Sequence, residues 1–366
     1  VLPLWIVPPC PSLPYPYDWF EIKPISDFYS KNSAFNAETI SPIEYANQQH
    51  VPLLELGVST TTRLFPGAVL GAESVAVVSV ATGSAAQQLI MIDKYGFVHI
   101  APYDSHLKSY QLSNASLYVG PGRSLGFHMR SPDEMIVCDS VKGLLAVDIS
   151  TRKREEREEE DESASNGDRI RILTNAVSSP TWHPSNAINY ANDLDIAKQD
   201  LHDIVYFTSS TTLGVVAFNS EDRYYDTMRS FVLTWLAGDV SGRLLQYNMT
   251  SKRTSVLVQD LYYANGVAVA ADRSYALVVE TVGLRVWKYF LTGPKRGTKE
   301  VFIERLPGFP DGITRSLDGE SFFISIVAPL SPLFSTGSSV MQSPLARWVS
   351  AWVLVRFSPL LTSLGV

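Results

Sequence analysis

Tyr263-Ala264-Asn265-Gly266-Val267-Ala268-Val269 opens the stretch that decides the fold, and a polar turn, Ala271-Asp272-Arg273-Ser274, follows it. The chain continues as Tyr275-Ala276-Leu277-Val278-Val279-Glu280, then as apolar runs from Leu284 to Leu291 and from Glu300 to Leu306. Short β-rich runs separated by turn signals predict antiparallel strands. The pattern then restarts. Asp311-Gly312-Ile313-Thr314 repeats the polar-Gly-apolar opening, Leu317-Asp318-Gly319-Glu320 repeats the turn, and Ser321-Phe322-Phe323-Ile324-Ser325 repeats the second strand. From Asn265 to Asp311 is 46 residues. Four strands followed by a restart at that distance is the period of a β-propeller blade.

Working outward, earlier repeats open near Gly71-Ala72-Glu73-Ser74, at Ser124-Leu125-Gly126-Phe127 and at Asn192-Asp193-Leu194. The predicted fold is all-β, a six-bladed β-propeller with five blades recognisable. Residues 1–60, proline-rich and then polar, read as an arm or linker, 61–327 as the propeller, and 328–366 as a divergent or truncated C-terminal segment. Within the last segment, the apolar run from Ala346 to Val366 is interrupted by Arg347, Arg356 and Pro359. It reads as an amphipathic excursion in preference to a transmembrane helix. The charged run from Lys153 to Asp168 reads as a solvated insertion between strands. Residues 210–240 form a long excursion inside the third repeat.

Of 366 residues, 45% are hydrophobic and 18% charged, with 17 Tyr, 16 Phe and 7 Trp, ample for a core rich in strand formers. The net charge of −7 argues against nucleic acid as a partner. Cys10 and Cys138 form neither a disulfide framework nor a zinc spacing, and a single bridge between them stays open. The apolar run Val1 to Val7 stops at Pro8-Pro9 and is too short to span a bilayer. Two readings stand for it: the remainder of a signal or membrane anchor whose start is missing, or an apolar arm. Asn114-Ala115-Ser116 and Asn248-Met249-Thr250 are glycosylation sequons and give mild support to a secretory route.

In a propeller the first strand of each blade lines the central channel, so equivalent positions converge near the axis. Four of the five openings carry a side-chain oxygen: Glu73, Asn192, Asn265 and Asp311. Two carboxylates and two carboxamides are hard ligands that suit Ca²⁺. The same residue types are also ordinary turn formers, and spacing alone leaves both readings open.

Gly122-Arg123-Ser124-Leu125-Gly126, Lys142-Gly143-Leu144-Leu145, Asn192-Asp193-Leu194, Gly242-Arg243-Leu244-Leu245, Tyr263-Ala264-Asn265-Gly266-Val267 and Leu306-Pro307-Gly308-Phe309-Pro310-Asp311 follow one another in the order of a known family. Over roughly residues 60 to 330 the chain resembles the strictosidine synthase-like family, above all its adipocyte plasma membrane-associated protein branch. The resemblance implies a six-bladed propeller related to paraoxonases and gluconolactonases, with calcium in the channel. It implies Glu73, Asn192, Asn265 and Asp311 as ligands, the set the repeats had already singled out. The chain departs from the pattern in three ways. Leu125 stands where paraoxonases have a channel histidine, the last-blade glutamate of strictosidine synthases has no counterpart, and paired cysteines before the Gly-Arg motif are missing. Gly122-Arg123-Ser124-Leu125-Gly126 also matches a nucleophile elbow, but strand-like residues follow where that elbow needs a helix, so Ser124 is not expected to be a nucleophile.

Three functions follow from this. The first is calcium-dependent hydrolysis of a small ester or lactone, in which the ion polarises the carbonyl and Glu73 or Asp193 serves as base. The second is condensation of an amine with an aldehyde, and the third is a non-catalytic binding propeller tied together by calcium. The expected location is the secretory pathway, the endoplasmic reticulum or a membrane surface.

Overall fold

The computed structural model describes residues 64–79, 87–114, 116–150, 169–181, 183–198, 203–214, 218–219, 224–329 and 343–363. The arm at 1–60, the charged run from Lys153 and Cys10 lie outside the described residues.

Strand-forming runs fall into successive antiparallel sheets. The first holds β1 (Val75–Ser79), β2 (Gln87–Ile92), β3 (Phe97–Asp104), the short β4 (Ser109–Tyr110) and β5 (Ser116–Tyr118). The second runs β6 (Ser124–Ser131), β7 (Glu134–Asp139), β8 (Gly143–Asp148), β9 (Ile170–Thr174). The third runs β10 (Ala191–Ala197), β11 (Ile204–Ser209), β14 (Gly242–Asn248), β15 (Arg253–Leu261). The excursion between β11 and β14 contributes a hairpin, β12 (Phe218–Asn219) with β13 (Tyr224–Tyr225), and helix α1 (Thr227–Ala237). The fourth sheet runs β16 (Ala264–Val269), β17 (Tyr275–Glu280), β18 (Arg285–Phe290), β19 (Lys299–Ile303), and the last pairs β20 (Gly308–Arg315) with β21 (Phe322–Pro329). These five sheets start at or just after the five openings read from the sequence, and the β12–β13 hairpin is a sixth, two-stranded sheet among the described residues.

Burial explains the arrangement. Every residue of β16 is buried, as are most of β7 and β8, because these strands are covered on both sides by neighbouring sheets. The outer strands β9 and β19 alternate or open to solvent. The first strands stand side by side: β6 and β16 both pack on β10, β20 packs on β16, and β1 touches β6. The glycine of the repeated opening allows this approach. A Cβ on Gly266 would lie 2.5 Å from the Ile313 nitrogen, and one on Gly126 would lie 2.8 Å from the Asp193 Cα. The apolar layers between sheets join Ile136 and Leu144 to Leu194 and Phe207, and Leu244 to Val267 and Val278.

The C-terminal segment forms helix α2 (Pro344–Ser363). It lies on α1, where the buried Arg347 donates from Nη1 to the Leu236 carbonyl at 3.0 Å and so satisfies the last turn of α1. No helix among the described residues is long and apolar enough to cross a membrane. Ser124 is buried in β6 and gives its hydroxyl to Asp139 at 3.1 Å, which fits the rejection of a nucleophile elbow. Cys138 is a buried free thiol.

Candidate active site at the head of the inner strands

The openings of four inner strands and the segment before β1 meet at a cavity of about 260 Å³. Its floor carries Glu73, Asn192, Asn265 and Asp311, so all four residues expected as ligands line one space. Asn192 is buried and donates Nδ2 to the Ser210 hydroxyl at 2.9 Å, while its Oδ1 is buried and has no hydrogen-bond partner among the described residues. Asn265 donates Nδ2 to the Thr281 hydroxyl at 3.2 Å and also to Asp311 Oδ1.

Both carboxyls are shifted upward. Desolvation raises Asp311, opposed by the hydrogen bond from Asn265. Glu73 is pushed up to about 8, first by desolvation, then by the charge of Asp311, with Arg123 pulling the other way. Yet Glu73 is exposed by surface area. A side chain in a narrow, protein-walled channel has both properties, since water reaches it from one side while the walls remove most of its hydration. That access tempers the rise, and its upward direction follows from the facing acid.

Asp193 does not line the cavity. Its Oδ1 occupies the space that a side chain at Gly126 would fill, and its Oδ2 accepts from the Val267 N–H at 3.2 Å. It ties β10 to β16. Burial pushes its carboxyl up to about 6, against the pull of His128. Leu125 lines the cavity at the second opening. His128 lies further along β6 as a half-exposed side chain 3.4 Å from Asp195.

The walls were not anticipated. Tyr190, Tyr263, Phe231 and Phe309 enclose the floor, and Thr227 and Met228, in α1 like Phe231, also line it, with Thr281, Val327 and Ala328. Phe231 meets Tyr263 edge-on at 5.0 Å and Phe309 at 6.0 Å. Burial raises the phenols of Tyr190 and Tyr263, keeping both protonated. Tyr263 adopts φ 64°, a left-handed backbone that a bulky residue rarely takes. A signal for these walls was present in the sequence. Tyr190, Tyr263 and Phe309 each precede a floor residue, Asn192, Asn265 and Asp311, by two positions, so an aromatic recurs at one place of the repeated opening.

Among the described residues, no group of three or more His, Cys, Asp or Glu side chains could hold a metal. The floor has two carboxylates, and its remaining donors are carboxamides. Larger clefts lie elsewhere, but the one of about 1100 Å³, beside Tyr206 and Tyr289, gathers no comparable set of oxygens.

These features define an all-β protein of successive antiparallel sheets with an oxygen-rich, aromatic-walled cavity where the inner strands begin. The family model for strictosidine synthase matches residues 192–294, a segment that includes Asn192 and Asn265. Protein strictosidine synthase-like 10 of Arabidopsis thaliana is 41% identical over 137 residues, covering 37% of this chain and 32% of that protein. Adipocyte plasma membrane-associated protein of Bos taurus is 27% identical over 290 residues, covering 78% of this chain and 61% of that protein. The chain therefore spans between about a third and three fifths of these relatives' length. The resemblance to strictosidine synthase-like proteins holds. Among solved structures, a gluconolactonase of Xanthomonas campestris aligns with a TM-score of 0.43 and 13% identity over 65% of this chain and 66% of that one. Regucalcin of Agrobacterium tumefaciens, described as a calcium-binding protein, aligns with a TM-score of 0.40 and 12% identity over 69% of this chain and 66% of that one.

Proposed function

We propose that this chain is a calcium-dependent hydrolase of small esters or lactones, built on a six-bladed propeller plan and working in the 260 Å³ cavity. The observation that carries the reading is the Asn192 Oδ1, a buried carbonyl oxygen with no partner among the described residues, in a space shared with two carboxyls whose shifts oppose ionisation. An unpaired buried oxygen is costly, and close acids repel; a hard cation relieves both. The donors fit such an ion. Glu73, Asn192, Asn265 and Asp311 would hold it.

When bound, calcium would polarise the substrate carbonyl and stabilise the developing oxyanion. The residues supply the rest. Tyr190, Tyr263, Phe231 and Phe309 exclude water and orient an apolar acyl or aryl group against the floor. Glu73 belongs to both the floor and the accessible surface, and its carboxylate is the group assigned to take a proton from the attacking water. Asp193 is assigned a positioning role, through its hold on the Val267 amide. One of the relatives is named for the plasma membrane, and we extend that setting, or the secretory pathway, to this chain as part of the proposal.

The test is a panel of aryl esters and lactones assayed with and without chelator. We expect hydrolysis that chelation abolishes and calcium restores, and that Asn192→Leu lowers at least tenfold. Hydrolysis indifferent to chelator would overturn the role of the ion. Calcium binding without turnover of any member would leave a binding propeller.

A further inference from the structure

The inner strands have a second end. They begin at the acidic floor and run away from it, and after their buried stretch most reach a basic side chain. Lys198 follows β10, Arg273 lies in the turn after β16, Arg315 ends β20, and His128 lies in β6. These four groups line one cleft of about 610 Å³, distinct from the floor cavity and sharing no residue with it. The cleft is cationic in a chain whose net charge is −7, so bulk composition does not account for it.

Both guanidiniums there are anchored, and among the described residues neither they nor Lys198 faces a carboxylate partner, whereas His128 lies against Asp195. Arg273 donates from Nη1 to the Lys198 carbonyl at 2.7 Å, and Arg315 donates from Nη1 to the Val269 carbonyl at 2.7 Å. Each guanidinium is thus held across two sheets by one nitrogen, with its other N–H groups still to place. Among the described residues no carboxylate pairs with Lys198, Arg273 or Arg315. Asp195, the acid in the lining, is occupied: it accepts from the Val269 N–H at 2.7 Å and the Ile196 N–H at 2.7 Å, and faces His128. The nearby Asp272 and Asp318 fold back on their own turns, onto Ser274 and Glu320. Arg130, also in β6, is neutralised by Asp203 and Glu134 at 2.7 Å each and takes no part.

We propose that this cleft is an anion site for a phosphate-bearing ligand with an organic body. Two anchored guanidiniums, an ammonium and an imidazole match a group with several anionic oxygens. The volume falls in the range of about 300–1,000 Å³ typical of small-molecule sites, too large for a bare ion. Met129, Ile196, Val267 and Ile313 give the organic part an apolar wall. The ligand comes from solution as a phosphate ester or from a bilayer as a phospholipid headgroup.

The experiment titrates the full chain, in chelator so that calcium bridges nothing, with two probes. One is phenyl phosphate, followed by calorimetry. The other is phosphatidylcholine vesicles with and without phosphatidic acid, followed by cosedimentation. We expect saturable, salt-sensitive binding to at least one probe, weakened about tenfold by Lys198→Gln and about tenfold by Arg315→Lys, which keeps the charge and loses the fork. Lys198 makes no side-chain clamp, so its variant decides the matter if an arginine variant fails to fold. Binding of phenyl phosphate identifies a soluble ester, and binding of the acidic vesicles alone identifies a headgroup; either supports the site. The proposal is overturned if the wild type binds neither probe, or if Lys198→Gln binds as the wild type does.

Discussion

The wall formed by β6, β10 and β16 and the flank formed by the last and first sheets, β20 with β21 and β1, carry the same repeat under opposite conditions. In the wall each first strand has a neighbour, and in β6 and β16 the glycine of the opening is pressed against that neighbour's backbone, Gly126 against β10 and Gly266 against β20, whereas β10 carries Asp193 at that place. Gly312 holds the same place in β20, yet among the described residues a Cβ there would meet only the Ser325 hydroxyl, at 3.4 Å. The side chains differ too. The wall contributes the neutral Asn192 and Asn265 to the cavity, whereas the charged Glu73 and Asp311 come from the first and last sheets. Apolar strand faces lie open on the flank, with Val77 59% exposed on β1 and Phe323 65% exposed on β21. The glycine of the motif is therefore a packing device that acts only where an adjacent strand presses on it.

The largest effect expected from this contrast is at Gly266. Gly266→Ala forces a methyl against the Ile313 nitrogen and the Asp311 carbonyl, backbone atoms that cannot swing aside. We expect a loss of about 3 kcal/mol in urea unfolding. Gly312→Ala, chemically the same change, is expected to shift stability by less than about 0.5 kcal/mol. Equal losses at the two sites would contradict the role given to the neighbouring strand at Gly266.

A smaller effect concerns the charged flank. In chelator, Glu73 has its carboxyl raised above the ordinary 4.5 in the folded chain. The folded state then binds the proton more tightly than the unfolded state. The stability this group contributes is present below about pH 4.5 and is lost as pH rises from there through the raised folded value. Asp193, raised to about 6, adds to the fall over the lower part of that window. Glu73→Gln is expected to flatten the upper part, measured as urea midpoints between about pH 5 and pH 8. An unchanged slope would place the Glu73 carboxyl in ordinary hydration.

The fold was legible because its strands are short, bounded by turns and repeated, so one well-read unit from Asn265 to Asp311 located the others. The floor was legible for the same reason: equivalent positions of a repeat converge. Three things were not. Asp193 reads as one more acid beside Asn192, but the alternation of β10 turns it to the other face, into the space left by Gly126. Helix α1 reads only as an excursion, because what makes it part of the cavity is the packing of Phe231 against Tyr263 and Phe309, contacts between distant segments. The basic cleft stayed hidden because its members stand at unequal distances from their strand openings, Lys198 six residues after Asn192 and Arg315 four after Asp311.

The central claim is that the cavity floor binds calcium through the side chains that open the inner strands. Calorimetric titration of calcium into the chelator-stripped wild type and into Asn192→Leu and Asn265→Leu tests it most directly. We expect one site per chain in the wild type, at least tenfold weaker in each variant, with a melting temperature that rises with calcium in the wild type alone. A folded wild type that binds no calcium, or variants that bind it as tightly as the wild type does, would contradict the claim.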